Sequence, residues 1–177
     1  MAPSIGVKGA VHVVVAVEEP ALGPGSDDEV FSRVYPALRR FAAVTAPDAD
    51  PDDLVQEAVA RTLRRHALAD LDHPEAYLRR TIVHLASNRR RGLARWRTAV
   101  VRLAPVGDGE PPTYASDLAD LLRLAPAARA LLWLVEVEGC EYGEAAAQLG
   151  ISNEAARQRA SRARRELRAA IEGDEQQ

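Results

Sequence analysis

Several residue types are almost missing from this 177-residue chain, and each scarcity excludes something. The one cysteine, Cys140, cannot form an internal disulfide, and the four histidines, His12, His66, His73 and His84, keep no zinc-ligand spacing with it. Metal sites and redox cofactors are therefore not expected. The longest apolar run, Val13 to Val17 with its flanks, falls far short of the roughly 20 residues needed to span a bilayer. No basic cluster or small-residue cleavage site accompanies it, so a cytoplasmic protein is expected. Lysine occurs only at Lys8, and arginine supplies all other positive side-chain charge; with abundant alanine, this reads as coding bias and carries no functional reading. A net positive charge is also lacking: the formal value is −3, which excludes a uniformly basic nucleic-acid coat.

What the chain does have is charge sorted by segment. Residues 47–60 contain Asp48, Asp50, Asp52, Asp53 and Glu57 and no base, whereas residues 89–102 contain six arginines and no acid. A third segment, 142–167 (YGEAAAQLGISNEAARQRASRARREL), predicts a short helix over Glu144 to Leu149, a reversal at Gly150, and a second helix capped by Ser152. At about 100° per residue, Ala156, Ala160, Ala163, Leu167 and Ile171 fall on one narrow apolar stripe. Arg157, Gln158, Ser161, Arg162 and Arg165 face the other way, offering guanidinium and amide groups suited to base edges. An ordinary solvated amphipathic helix would share that stripe. The preceding helix and glycine turn favour a DNA-reading helix-turn-helix.

Periodicity elsewhere is also helical, over Val30 to Val44, Leu54 to Arg65 and Pro74 to Arg95, without strand alternation. Proline, glycine and small polar residues return at 105–116, the best linker in the chain. The expected architecture is all-α: an extension over 1–26, a helical bundle over 27–104, the linker, a helix-turn-helix module over 117–172 and a tail over 173–177. In the module, Pro126 to Glu138 reads as a helix whose Leu131, Leu132, Leu134 and Val135 form the core. The Val-rich extension admits three readings: a docked strand, an inhibitory plug, or sequence upstream of the true start.

In Asp50-Pro-Asp-Asp-Leu-Val-Gln-Glu57, Asp50 can cap a helix, Pro51 can stand first in it, and the early carboxylates favour its positive end. Leu54, Val55, Ala58, Val59 and Leu63 take the inner side, leaving Asp53, Gln56, Glu57 and Arg61 together at the surface. An acidic docking ridge would look like this, and so would any capped amphipathic helix.

The order of these parts, an acidic DDLVQE helix, then PEAYLRRTIVHLASNRRR, a linker and an arginine-rich helix-turn-helix, resembles the extracytoplasmic-function sigma factors of the sigma-70 class, specifically their actinobacterial SigE-like type. The resemblance runs from about Asp28 to Ile171 and implies two small helical domains, region two and region four, joined by a flexible linker. It implies that Asp53, Leu54, Val55, Gln56 and Glu57 bind the clamp of core RNA polymerase, with region four reaching the flap. It further implies that the 70–75 loop, including Asp72 and His73, and the helix bearing Tyr77, His84, Asn88, Arg89, Arg90 and Arg91 read and hold open the minus-ten promoter element. Trp96 could stack on a base, although burial suits it better.

Ser152, Glu154, Arg157, Gln158, Arg159, Ser161 and Arg162 would occupy the minus-thirty-five recognition helix, with Arg159 on its flank gripping phosphate. An anti-sigma protein would be a further partner. The chain departs from the family at Tyr77, where relatives often carry tryptophan, and at His84, where many carry an asparagine that contacts a flipped base. It departs again at Ala145, Ala146 and Ala147, where a larger aliphatic residue is usual.

Two other function classes compete. A helix-turn-helix regulator without polymerase docking would leave the acidic helix and linker unexplained, and no βα alternation resembling a receiver domain precedes the module. An enzyme using Asp52, Asp53 and Glu57 as acid and base would lack a nucleophile or metal, and helix capping already accounts for those carboxylates.

Overall fold

In a computed structural model, residues 25–103 and 121–174 are described, with the side chains of 96–103, 171, 173 and 174 outside that description. Residues 1–24 of the 1–26 extension, the whole 105–116 linker with 104 and 117–120 beside it, the Trp96 and Ile171 side chains and the last residues of the tail lie outside it. Among the described residues every regular element is helical.

Helix α1 runs Asp27–Thr45, α2 Pro51–Leu63 and α3 Pro74–Leu103. Ser26 starts α1 by accepting from the Glu29 amide at 3.3 Å, while Glu29 Oε2 reaches back to the Gly25 amide at 2.8 Å, a reciprocal cap. Asp50 caps α2 as expected, accepting from the amides of Asp52 at 2.8 Å and Asp53 at 3.1 Å, with Pro51 in the first turn. The three helices pack mutually around Val30, Val34, Leu38, Phe41, Leu54, Val55, Leu68, Leu78, Ile82 and Leu85, all buried. Leu63 departs from the expected inner side and is 46% exposed. It ends α2 at the rim of a shallow apolar hollow with Phe31, Val59 and Leu68, while Thr62 takes the buried place and donates to the Ala58 carbonyl.

The carboxy half begins with α4, Pro126–Leu132, which opens directly into a wider π-helical turn over Trp133–Val137. The expected helix to Glu138 is thus present but changes pitch, with the Glu138 amide reaching the Trp133 carbonyl at 3.1 Å. Helices α5, Tyr142–Leu149, and α6, Asn153–Asp174, follow. Gly150 joins them at φ 67°, ψ 38°, the left-handed conformation that glycine adopts without a Cβ penalty. The Ile151 amide bonds the Ala146 carbonyl across this turn at 3.0 Å, and Ser152 caps α6 through the Ala155 amide at 3.1 Å.

The two helical halves share one core. Ala130, Leu131, Leu134, Ala145, Ala146, Leu149, Ala156 and Ala160 belong to the same buried cluster as the amino-half residues, and α4 packs on α1 and α3 while α5 packs on α3. Arginines fasten the seam. Arg79, with a side chain 4% exposed, donates from Nη1 to Glu138 Oε2 at 2.8 Å and Gln148 Oε1 at 2.6 Å, and from Nη2 to Glu138 Oε1 at 3.0 Å and Glu75 at 2.6 Å. Its guanidinium also lies 5.2 Å from the centre of the Phe41 ring. Arg129 donates twice to the Thr45 carbonyl, at 3.1 and 2.8 Å, so a cation from α4 closes the carbonyl end of α1. Burial draws the Arg129 guanidinium below its ordinary value, with Asp48 opposing and Arg90 adding to the shift; it stays a cation at neutral pH.

Candidate nucleic-acid interface

The carboxy-half surface is built on small residues. Ala156 and Ala160 are fully buried and Ala163 nearly so, and α5 presents Ala145 and Ala146 to the same cluster, so α5 and α6 approach closely. Ala170 is buried on the same helix, a position outside the expected stripe. With that seam inward, Arg157, Gln158, Ser161, Arg162 and Arg165 line one shallow groove that opens to solvent. Gln158 Nε2 donates to Glu154 at 3.1 Å, and the Arg157 guanidinium lies 5.9 Å from the Tyr142 ring centre. Ser152 and Glu154 are exposed at the start of α6, and Arg159 is half-buried on its flank. Arg164 turns away from the groove: it bonds Glu136, then the Tyr142 hydroxyl at 2.7 Å, and these bonds raise its affinity for a proton. Of the expected recognition residues, Arg157, Gln158, Ser161 and Arg162 share this groove, whereas Ser152, Glu154 and Arg159 lie outside its lining.

The acidic helix splits in two. Asp53, Gln56 and Glu57 are exposed on α2, with Glu57 paired to Arg61 at 2.5 Å. Leu54 and Val55, expected in the same docking set, are 1% and 0% exposed, so the folded chain keeps them from a partner's surface and they set the ridge's orientation from beneath. Asp52 also belongs to the scaffold, accepting from the Tyr35 hydroxyl at 2.5 Å and Arg39 Nε at 2.8 Å, which ties α2 to α1. The Tyr35 hydrogen bond, opposed next by burial and aided by the Arg39 guanidinium, holds the Asp52 carboxyl below the usual carboxylate range.

The residues expected at the minus-ten element divide between two faces of α3 and, for Asp72 and His73, the loop that precedes it. Tyr77, His84 and Asn88 are spaced seven and four residues apart and share a stripe with Thr81. At 1.5 Å per residue this stripe is about 16 Å long, room for two or three nucleotides. Asn88 accepts from Arg91 Nη2 at 2.6 Å, and Arg89 is exposed beside it. At the other end, the His66 ring meets Tyr77 edge-on at 5.7 Å, and Tyr77 and Thr81 line an open cleft of about 340 Å³ with Arg61, Thr62, Arg64 and Arg65. Arg64 and Arg65 follow Leu63, the last residue of α2, and belong to no motif of the sequence. The signal that could have found them is the change of sign along α2, from Asp52 and Asp53 to Arg61, Arg64 and Arg65.

The remaining residues face the carboxy half. Asp72 and His73 line a cleft of about 680 Å³ together with Glu138, Glu144 and Gln148. Arg90 donates to the Leu124 carbonyl at 2.5 Å and the Arg123 carbonyl at 3.1 Å, so it serves the seam while remaining exposed like Arg89 and Arg91. No cluster of histidine, cysteine or carboxylate with metal-binding geometry occurs among the described residues, and none of the described helices is long and apolar enough to cross a membrane.

The chain thus joins a helix-turn-helix with an arginine groove to a helical bundle that carries an acidic ridge and an aromatic-polar stripe. Its lineage follows from two family matches: Sigma-70 region 2 over residues 30–97, and Sigma-70, region 4 over residues 121–167. Together they account for well over half of the chain, which belongs to the sigma-70 family of transcription-initiation factors. The fold is similar to that of the sigma factor RpoE from Bartonella quintana, solved as a co-crystal with the anti-sigma factor NepR. The TM-score is 0.57 at 22% identity, covering 82% of this chain and 96% of that one. No matching sequence was found among curated proteins.

Proposed function

We propose that the chain is an extracytoplasmic-function sigma factor that acts in the cytoplasm without a cofactor: it docks on core RNA polymerase, recognises a minus-thirty-five and a minus-ten element and helps to melt the promoter. The observation that carries this reading is the placement of three distinct surfaces on one chain: the exposed acidic ridge of α2, the stripe on α3, and the arginine groove of α6. Each has the chemistry its role needs. Asp53, Gln56 and Glu57 offer a partner carboxylates and an amide. Tyr77 offers a stacking face, Thr81, His84 and Asn88 offer hydrogen-bonding groups to unpaired bases, and Arg64, Arg65, Arg89 and Arg91 supply positive charge for the strand's phosphates. In the groove, Arg157, Gln158, Ser161 and Arg162 reach base edges while Ser152, Glu154 and the flanking Arg159 set the helix against the backbone.

The protein performs no bond-making chemistry in this reading; polymerase does. Its partners are the clamp and flap of core polymerase, promoter DNA and an anti-sigma protein, the last suggested by the complex in which the similar RpoE was solved. The actinobacterial SigE-like type is the subgroup its motifs resemble. The test is a pull-down of core polymerase by the full chain. Asp53→Lys with Glu57→Lys should abolish capture while leaving duplex binding by α6 intact, and capture that survives the double reversal would remove the docking assignment.

A further inference from the structure

The ring of Tyr142, the first residue of α5, lies beside two arginines of the recognition helix. Arg157 and Arg164 are seven residues apart, about two helical turns, so both leave α6 on nearly the same line. Each guanidinium stands 5.9 Å from the centre of the Tyr142 ring. Their hydrogen bonding is opposite. Arg164 uses its donors inside the protein: Nε reaches Glu136 Oε1 at 3.1 Å, and Nη2 donates to the same oxygen and, at 2.7 Å, to the Tyr142 hydroxyl. Among the described residues no acceptor engages Arg157, which is exposed and lines the groove with Gln158, Ser161, Arg162 and Arg165. A guanidinium held by a carboxylate gives up the donor pair that would read guanine, whereas one held on an aromatic face keeps its hydrogen-bonding edge free.

We propose that Tyr142 is a positioning residue for minus-thirty-five readout: its ring holds Arg157 at the rim of the groove with its donors free for a base, and the Glu136–Arg164 pair holds the ring. The inference rests on the recognition role proposed for α6 and adds what aims Arg157. A long exposed side chain loses rotamer freedom when it meets a base, and a contact made before DNA arrives lowers that loss. Glu136 is the fixed end of the strut. It stands in the π-helical turn Trp133–Val137, whose Leu134 is fully buried, so its backbone is anchored in the core while its carboxylate reaches α6. At about 100° per residue, Arg164 falls about 20° to one side of Arg157, and Ser161, Arg165, Gln158 and Arg162 fall about 40° to 140° to the other. Arg157 is therefore the groove residue next to the strut, and Tyr142 acts on one base contact rather than on the whole face.

The test is read on duplex binding by the full chain, which needs no polymerase, so failure of the docking assignment would leave it intact. The probe is the duplex that the wild-type chain selects from a randomised pool, together with its single-base variants, titrated by fluorescence anisotropy. Tyr142→Leu keeps apolar bulk and removes the aromatic face. It should reduce discrimination about two- to fivefold at the base pair that Arg157→Ala relaxes, with the other positions, and helical content by circular dichroism, unchanged. Tyr142→Phe should retain most of the discrimination, and Glu136→Gln should give a smaller loss at the same pair. In an Arg157→Ala background, Tyr142→Leu should remove no further discrimination. Discrimination that Tyr142→Leu leaves unchanged, a loss spread evenly over the site, or a loss that persists without Arg157 would overturn the proposal. Nuclear magnetic resonance order parameters of the Arg157 Nε–H group give a readout without DNA: they should fall in Tyr142→Leu and hold in Tyr142→Phe. Order that ignores Tyr142→Leu would also overturn it. A chain that selects no duplex while Arg157 order still falls in Tyr142→Leu would keep Tyr142 as the residue that holds Arg157 and remove the recognition role of α6 instead.

Discussion

The two DNA-facing helices, α3 and α6, are both rich in arginine, yet they spend it differently. On α6 the Ala156, Ala160 and Ala163 seam faces inward, so Arg157, Arg162 and Arg165 line one outer groove, while Arg159 lies on the flank and Arg164 bonds Glu136 and Tyr142. On α3 the arginines go in several directions. Arg79 is buried in the seam, Arg90 caps carbonyls of the other half, Arg91 bonds Asn88, and Arg89 is exposed. An arginine run therefore announces charge without announcing its direction, and the packing partner on each side of the helix decides which guanidiniums remain for DNA.

Substitution tests that contrast most sharply. Arg79→Ala removes a buried cation that bonds the partly exposed acceptors Glu75, Glu138 and Gln148, and urea denaturation should show a loss of about 1–3 kcal/mol. Arg157→Ala or Arg162→Ala should leave stability within about 0.5 kcal/mol, yet gel-shift titrations against single-base operator variants should show about 1–3 kcal/mol less discrimination at one minus-thirty-five position. If the two helices exchanged these behaviours, the division between structural and displayed arginine would be wrong. A subtler effect is expected at the cleft beside Tyr77: Arg64→Ala with Arg65→Ala should weaken single-strand binding evenly across sequences. The slope of log affinity against log salt should shrink by roughly 1.4, from about 0.7 per lost phosphate contact. An unchanged slope would place the strand elsewhere.

The smallest expected effect concerns Asp52, the acid that stays in the scaffold. Its carboxyl is held ionised by Tyr35 and then Arg39, so its stabilising contribution is present above the ordinary Asp value of about 3.9 and is lost as pH falls below it. The melting temperature of Asp52→Asn should lie below that of the parent at pH 7, and the gap should close on acidification. A gap that persists at low pH would mean that the carboxylate charge is not what ties α2 to α1.

Much of this was legible in the sequence because it is local. Asp50 and Pro51 state the start of α2, Gly150 and Ser152 state the turn, and the Ala156, Ala160 and Ala163 repeat states which face of α6 is inward. The motif order likewise carried the region-two and region-four reading that the family matches support. What could not be read is long-range. Whether Leu63 finds cover at the end of α2, whether Arg90 meets solvent or a carbonyl, and whether the halves share a core all depend on how distant segments meet. The π-helical turn at Trp133–Val137 belongs to the same group, since its Glu138 is placed to meet an arginine 59 residues earlier in the chain. Ala145 and Ala146, read from the sequence as a lighter core, are buried against this common cluster and permit the close approach of α5.

The central claim is that one chain joins polymerase to two promoter elements, and run-off transcription by core polymerase with this protein across a promoter library tests it most directly. Transcripts that depend on both elements, and that vanish with Asp53→Lys and Glu57→Lys, are the expected result. Duplex binding by the folded chain with no transcript from any promoter would contradict it.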